Sequence, residues 1–186
     1  YGDHRDLHSF PTRRSSDLAY LIANKRPVLR RKLAELFWPD KDLKKGLNNL
    51  GVFLYRLPTP LKKCLEITNE EVYFLPIQAE IDINKFNENL YFSQQVWQKE
   101  KDLKKTVRNT LEASLELYRG AFLENFYLDG HEKFMAWLIQ EQESYKRRAM
   151  SIATLLVTYY QERSNFKESL IFTQHLLRID PFDEKA

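Results

Sequence analysis

Asp129, His131 and Glu132 stand almost side by side and form the one cluster in this chain of residue types that move protons or bind metals. A metal site needs further ligands at set spacings, and no second histidine follows at such a distance. Phosphate chemistry calls for a glycine-rich loop, and covalent catalysis for a Ser, Cys or Thr in a nucleophile motif; neither pattern is present. The sequence therefore predicts a protein that is not an enzyme, with no metal and no cofactor, and assigns the cluster to a polar loop. Cys64 is the one cysteine. It has no partner for an internal disulfide and reads as a small buried hydrophobe just before a strand.

Binding chemistry remains, and it gathers between Arg30 and Arg56. Lys44, Lys45, Asn48, Asn49, Val52, Tyr55 and Arg56 fall away from the leucines of one helix, and Arg30 and Arg31 open the helix before it. Asparagine can both donate to and accept from an adenine edge, while lysine and arginine meet phosphate or guanine. These nine side chains are the candidate contacts to double-stranded DNA. A run such as Arg30-Arg31-Lys32 is also what an ordinary solvated helix face looks like, so its role depends on what positions it.

Period and punctuation supply the positioning elements. Leu29, Leu33, Leu36 and Phe37 recur at i, i+4, i+7 and i+8 and make one helical stripe, which ends near Trp38-Pro39-Asp40. Asp40 or Asp42 can cap a third helix over 43–57, whose Leu43, Leu47, Leu50, Leu54 and Leu57 share a face before Pro58 stops it. Upstream, AYLIANKR reads as a helix end halted before Pro27. Downstream, CLEIT and VYFLP flank the polar turn Asn69-Glu70-Glu71 as a hairpin. Helix, helix, helix, hairpin is the order of a winged helix-turn-helix, in which the third helix enters the major groove and the hairpin reaches neighbouring backbone or minor groove.

Composition sets the outer limits. With 43% hydrophobic and 30% charged residues and only 5 Gly and 7 Pro, disordered and collagen-like classes are excluded. No apolar run approaches the roughly 20 residues of a membrane span, and no secretory or transit-type leader opens the chain, so a cytoplasmic location is expected. Residues 19–76 carry 11 basic and 6 acidic side chains, whereas residues 77–186 carry 15 and 17. A polyanion is therefore expected to meet the N-terminal part, with a boundary near Pro76.

The remainder reads as helices. Phe86, Leu90, Val96 and Trp97 share a face after Asp82, an N-cap, until the charged stretch from Lys99 to Lys105. Val107, Leu111, Leu115 and Tyr118 continue the spacing over 103–119, with Gly120 as C-cap. A long helix over 130–163 has Phe134, Trp137, Leu138, Tyr145, Met150, Leu155, Leu156, Tyr159 and Tyr160 as core candidates, and a last helix follows the Ser164-Asn165 turn over 166–178. Tyr118, Phe122, Phe126 and Tyr127 read as helix-packing core. A repeat of about 34 residues counted back from Pro181 puts Leu156, Tyr160 and Ser169 where a helix pair packs. One such pair cannot bury its faces alone, so further repeats are expected beyond residue 186.

Residues 1–18, YGDHRDLHSFPTRRSSDL, match at every position the one-frame translation of a widely used short-read sequencing adapter. They are expected to be a non-native segment without stable packing, the native chain opening at Ala19 inside a helix. Beyond them, RPVLRRKLAELFWPD, the pair Asn48-Asn49 with Leu50, Leu54, Arg56 and Leu57, and EIDINKF over 80–86 resemble the DNA-binding half of bacterial transcriptional activator domain proteins, the family of the actinomycete antibiotic regulatory proteins. YRGAFLENFY over 118–127, Trp137 and LLRIDPFDEKA over 176–186 resemble that family's all-helical activator domain. The resemblance implies a partial winged helix-turn-helix over 19–76 and an all-α tetratricopeptide-like domain over 77–186, truncated at its C-terminus. It also implies transcription regulation through promoter DNA, with RNA polymerase or a second copy as protein partner. The alternative is a helical protein-interaction module without specific DNA binding. On either reading the fold class is mainly α.

Overall fold

The computed structural model describes residues 10–75, 81–100 and 105–181. Residues 1–9 of the adapter-like segment, Glu80, the 101–104 part of the charged break and the 182–186 end of LLRIDPFDEKA lie outside the described residues, as do the side chains of Val96 and Trp97. Among the described residues are eight helices and one three-stranded sheet, so the chain is mainly α. It divides into two compact units, residues 1–80 with 125–137 and residues 81–124 with 138–186. The 125–137 segment, which the sequence places with the second part, thus packs with the first.

The first unit runs α1 (Phe10–Ala23), β1 (Val28–Leu29), α2 (Arg30–Phe37), α3 (Leu43–Arg56), α4 (Thr59–Lys63), β2 (Leu65–Ile67) and β3 (Glu71–Phe74). The sheet order is β1-β3-β2, all antiparallel, with Val28 opposite Val72 and Leu65 opposite Phe74. In β3, Val72 and Phe74 are buried while Glu71 and Tyr73 are half-buried, the alternation of a strand with one face on a core. Neither β1 nor α4 is visible in the sequence pattern. Two residues cannot show a period, and β1 forms only because Pro27 keeps the chain extended and β3 offers it a free edge. Leu29 consequently leaves the α2 stripe and is half exposed in the strand.

Helix α1 begins at Phe10, and Ser16 and Asp17 are buried, against the expectation that residues 1–18 pack on nothing. A helix already anchored by buried Tyr20 and Leu21 propagates cheaply in either direction, one hydrogen bond per residue fixed, and carries its neighbours inward. The aromatic centre of the unit joins distant segments: Phe37 of α2 lies 5.9 Å from Tyr20 and 5.4 Å from Phe134, and Tyr20 lies 4.6 Å from Trp137. These rings explain why 125–137 returns to this unit. Helices α2 and α3 meet at Gly46, where a Cβ would sit 3.2 Å from the Cβ of Ala34. The buried seam of α3 is therefore Gly46, Leu50, Phe53 and Leu54, with Leu43 exposed and Leu47 half-buried instead of inside.

The second unit contains α5 (Asp82–Glu100), α6 (Lys105–Leu117), most of α7 (Glu132–Glu162) and α8 (Phe166–Ile179). Asp82 is the first residue of α5, its carboxylate accepting from the Ile83 N–H at 2.8 Å. Gly120 does not cap α6; the left-handed positions between α6 and α7 are Leu123, Asn125 and Gly130, with φ of 49°, 61° and 70°, where the chain turns. Tyr127 is exposed on that segment instead of packed. The core joins Phe86, Val107, Leu111, Leu115, Tyr145, Ile152, Leu156, Tyr160, Phe172 and Leu176. Asn165 caps α8, and Tyr160 stacks on Phe172 at 5.6 Å with rings 6° from parallel.

Two predictions follow from this packing. Gly46→Leu should destabilise the chain by about 1–3 kcal/mol, because the added atoms meet the Ala34 backbone, whereas Gly51→Ala should stabilise it by about 0.5–1 kcal/mol by removing helical glycine entropy. Urea melts of both variants check the contrast, and equal shifts would rule out the close approach. The second concerns Tyr160, whose hydroxyl donates to Glu112 at 2.6 Å; burial and that carboxylate push its pKa up to about 12. The folded chain keeps a proton that the unfolded one loses near pH ~10, so this contribution is full below that pH and fades as pH rises toward the folded value. In Tyr160→Phe the fall of stability above pH ~10 should be shallower, and an unchanged slope would remove Tyr160 as its cause.

Candidate nucleic-acid interface

The face of α3 opposite Leu50 is built by the 3.6-residue period once Gly46 has set the helix's rotation. Asn48 and Val52 stand at its centre, with Lys45 and Arg56 on one flank and Lys44 and Tyr55 on the other, all exposed. Asn49 is half-buried at the edge of the core. Asp42, not Asp40, caps the helix, accepting from the Lys45 N–H at 2.9 Å. That bond, with the Lys45 ammonium at 3.2 Å, holds the Asp42 carboxyl below the ordinary range. Tyr55 is the most exposed ring of the helix, at 80%, and Lys62 of α4 lies over it at 5.0 Å from the ring centre. Lys62 was not among the residues the sequence singles out. Pro60 sits in the first turn of α4, but a five-residue helix without buried residues shows no apolar period, so nothing in the sequence marked Lys62.

Arg30 and Arg31 are placed differently from each other. Arg30 is partly committed inside the unit: its N–H donates to the Glu70 carbonyl at 2.7 Å and its Nη1 to the Thr68 carbonyl at 3.1 Å, both in the hairpin turn. Its Nη2 lies 3.9 Å from where a Gly51 Cβ would be, so the guanidinium passes beside α3. Arg31 is exposed and pairs with Glu35 one turn along α2 at 2.9 Å. The hairpin carries exposed acidic groups, Glu66 on β2 and Glu70 at the tip, where Thr68 Oγ1 accepts from the Glu70 and Glu71 N–H groups at 3.2 and 2.9 Å.

The other sequence candidates resolve into structure. His131 is buried, with Nδ1 2.6 Å from the Asp129 carbonyl and Nε2 3.1 Å from that of Phe37, so it ties the 125–137 segment to the last turn of α2, whereas Asp129 and Glu132 are exposed. Cys64 is buried, its Sγ 3.4 Å from the Pro60 carbonyl. Among the described residues no group of three His, Cys, Asp or Glu side chains is placed to hold a metal ion, and no helix is long and apolar enough to cross a membrane. Comparison with family models, curated proteins and solved structures gives no match.

Arg30→Ala should loosen the hairpin turn while Arg31→Ala should not. Amide exchange at Thr68 and Glu71 should speed up about fivefold in the first, the loss of one bond of about 1 kcal/mol, and stay unchanged in the second. Equal protection in both would mean that the Arg30 contact contributes nothing.

Proposed function

We propose that the first unit is a winged helix-turn-helix that binds double-stranded DNA through α3, in a transcription regulator without catalytic activity whose helical unit makes protein contacts. The observation that carries this reading is the exposed face of α3, where Lys44, Lys45, Asn48, Tyr55 and Arg56 combine base-reading and phosphate-meeting groups on one solvent-facing helix. The order α1-β1-α2-α3, a short α4, then β2-β3, with β1 closing the hairpin into a sheet, supports the same reading. The acidic hairpin repels phosphate, so on this reading the backbone contacts fall to the helices: Lys44 and Lys45 in the first turn of α3, Arg31 on α2 and Lys62 on α4. The ion pairs of Arg31 and Lys45 are exposed and held weakly, so phosphate can replace the carboxylates. A protein-contact role for the helical unit is supported by α8, which presents Phe166, Leu170, Ile171 and Leu177 outward. RNA polymerase or a second copy are the partners in this reading.

The test is binding of the whole chain, by anisotropy and at several salt concentrations, to a duplex it enriches from a randomised pool and to a scrambled duplex. Asn48→Ala should reduce discrimination between the two by about 1–3 kcal/mol, while Lys44→Ala should weaken both alike and lower the salt slope by about 1. Failure to enrich any duplex, or binding indifferent to salt, would favour a helical protein-interaction module instead.

A further inference from the structure

The second unit contains an open cleft of about 420 Å³ between the start of α5, the segment after α6 and the middle of α7. Its walls are aromatic: Tyr145 at the centre, with Phe122 at 5.6 Å and Phe86 at 6.2 Å, and Tyr118 on the segment after α6. Two carboxylates line it, Asp82 and Glu124, against one cation, Arg119.

The segment forming one wall is held in shape. Gln142 of α7 donates to the Phe122 carbonyl at 2.8 Å, the Glu124 N–H bonds to the Ala121 carbonyl at 3.0 Å, and Leu123 is kept at φ 49°, which a leucine adopts only under constraint. Gly120 leaves the space in which the Glu124 carboxylate rests, since an added Cβ would stand 2.5 Å from its Oε2. The rings already accept a cation, for Arg148, hydrogen-bonded to Asn87 at 2.6 Å, lies over Tyr145 at 5.5 Å from its centre. Burial is the main cause that raises the pKa values of Tyr118 and Tyr145, opposed by Lys146 at the first and by the Asn87 hydrogen bond and Arg148 at the second, so both phenols stay neutral.

We infer that this cleft binds a small organic cation, an ammonium on a hydrocarbon body that packs against Phe122 and Tyr145 with its charge toward Glu124 and Asp82. Aromatic faces and carboxylates together select for positive charge, where rings alone accept any apolar molecule. The site is independent of DNA binding by the first unit.

The experiment is an NMR titration of the full chain with benzyltrimethylammonium, and with benzoate as the anion of similar ring size. The amides of Phe86, Gly120 and Leu123 should shift saturably with the cation and at least fivefold more weakly with benzoate. Glu124→Gln, an exposed change that leaves the rings in place, should weaken the cation two- to fivefold and leave benzoate no weaker. Phe122→Leu should weaken the cation while the melting curve shows the unit intact; if that variant melts early, the Glu124→Gln comparison alone decides. No saturable shift at these amides, or equal affinity for the two ions, would overturn the site. Shifts confined to other residues would do the same.

Discussion

The close approach of Gly46 to Ala34 governs the first unit. Two helices can bring their backbones this near only where one side chain is absent and the other is a methyl group. Once that contact is made, the rotation of α3 has no freedom left. Leu50, Phe53 and Leu54 go inward, each contributing on the order of 1.5–3 kcal/mol of burial, and Asn48 and Val52 are turned to solvent. The candidate interface is thus a by-product of a packing contact on the other side of the same helix.

Aromatic rings act as the joints of the first unit because they span gaps that aliphatic side chains do not. Tyr20, Phe37, Phe134 and Trp137 come from three separated stretches of chain and meet within a few ångströms. His131 supplements them with a directed contact, its ring lying between the Asp129 and Phe37 carbonyls, to one of which a neutral imidazole donates. In the second unit the stacked pair Tyr160 and Phe172 joins α7 to α8, and the Tyr160 hydroxyl reaches Glu112 of α6. An aromatic body with a polar tip settles packing and hydrogen bonding in one side chain.

Formal charge overstates what α2 and α3 can offer a polyanion. Arg30 serves the hairpin, Arg31 faces Glu35, Lys41 faces Asp40, Lys45 faces Asp42 and Lys62 lies over Tyr55, so five of the basic side chains that make residues 19–76 positive already have partners. Exposed pairs of this kind are held weakly and exchange with phosphate. Arg30, with bonds into the turn, does not exchange as readily and belongs to the framework of the unit.

The helices α2, α3, α5, α6, α7 and α8, the end of α1 and the β2-β3 hairpin were legible in the sequence, because apolar period, proline stops and turn residues are local signals whose physics acts within a few residues. So were the exposure of Asn48 and Tyr55 and the burial of Cys64, Leu156 and Ser169. Tertiary structure alone decided the rest. It made β1, since two residues become a strand only beside a partner, and it gave 125–137 to the first unit through Phe134, Trp137 and His131. It turned the buried seam of α3 from Leu43 and Leu47 to Gly46 and Phe53, and drew Arg30 into the hairpin turn. Leucine count ranks a face by hydrophobicity, whereas the neighbour selects it by how near it can come, and that distance is set by residues far along the chain.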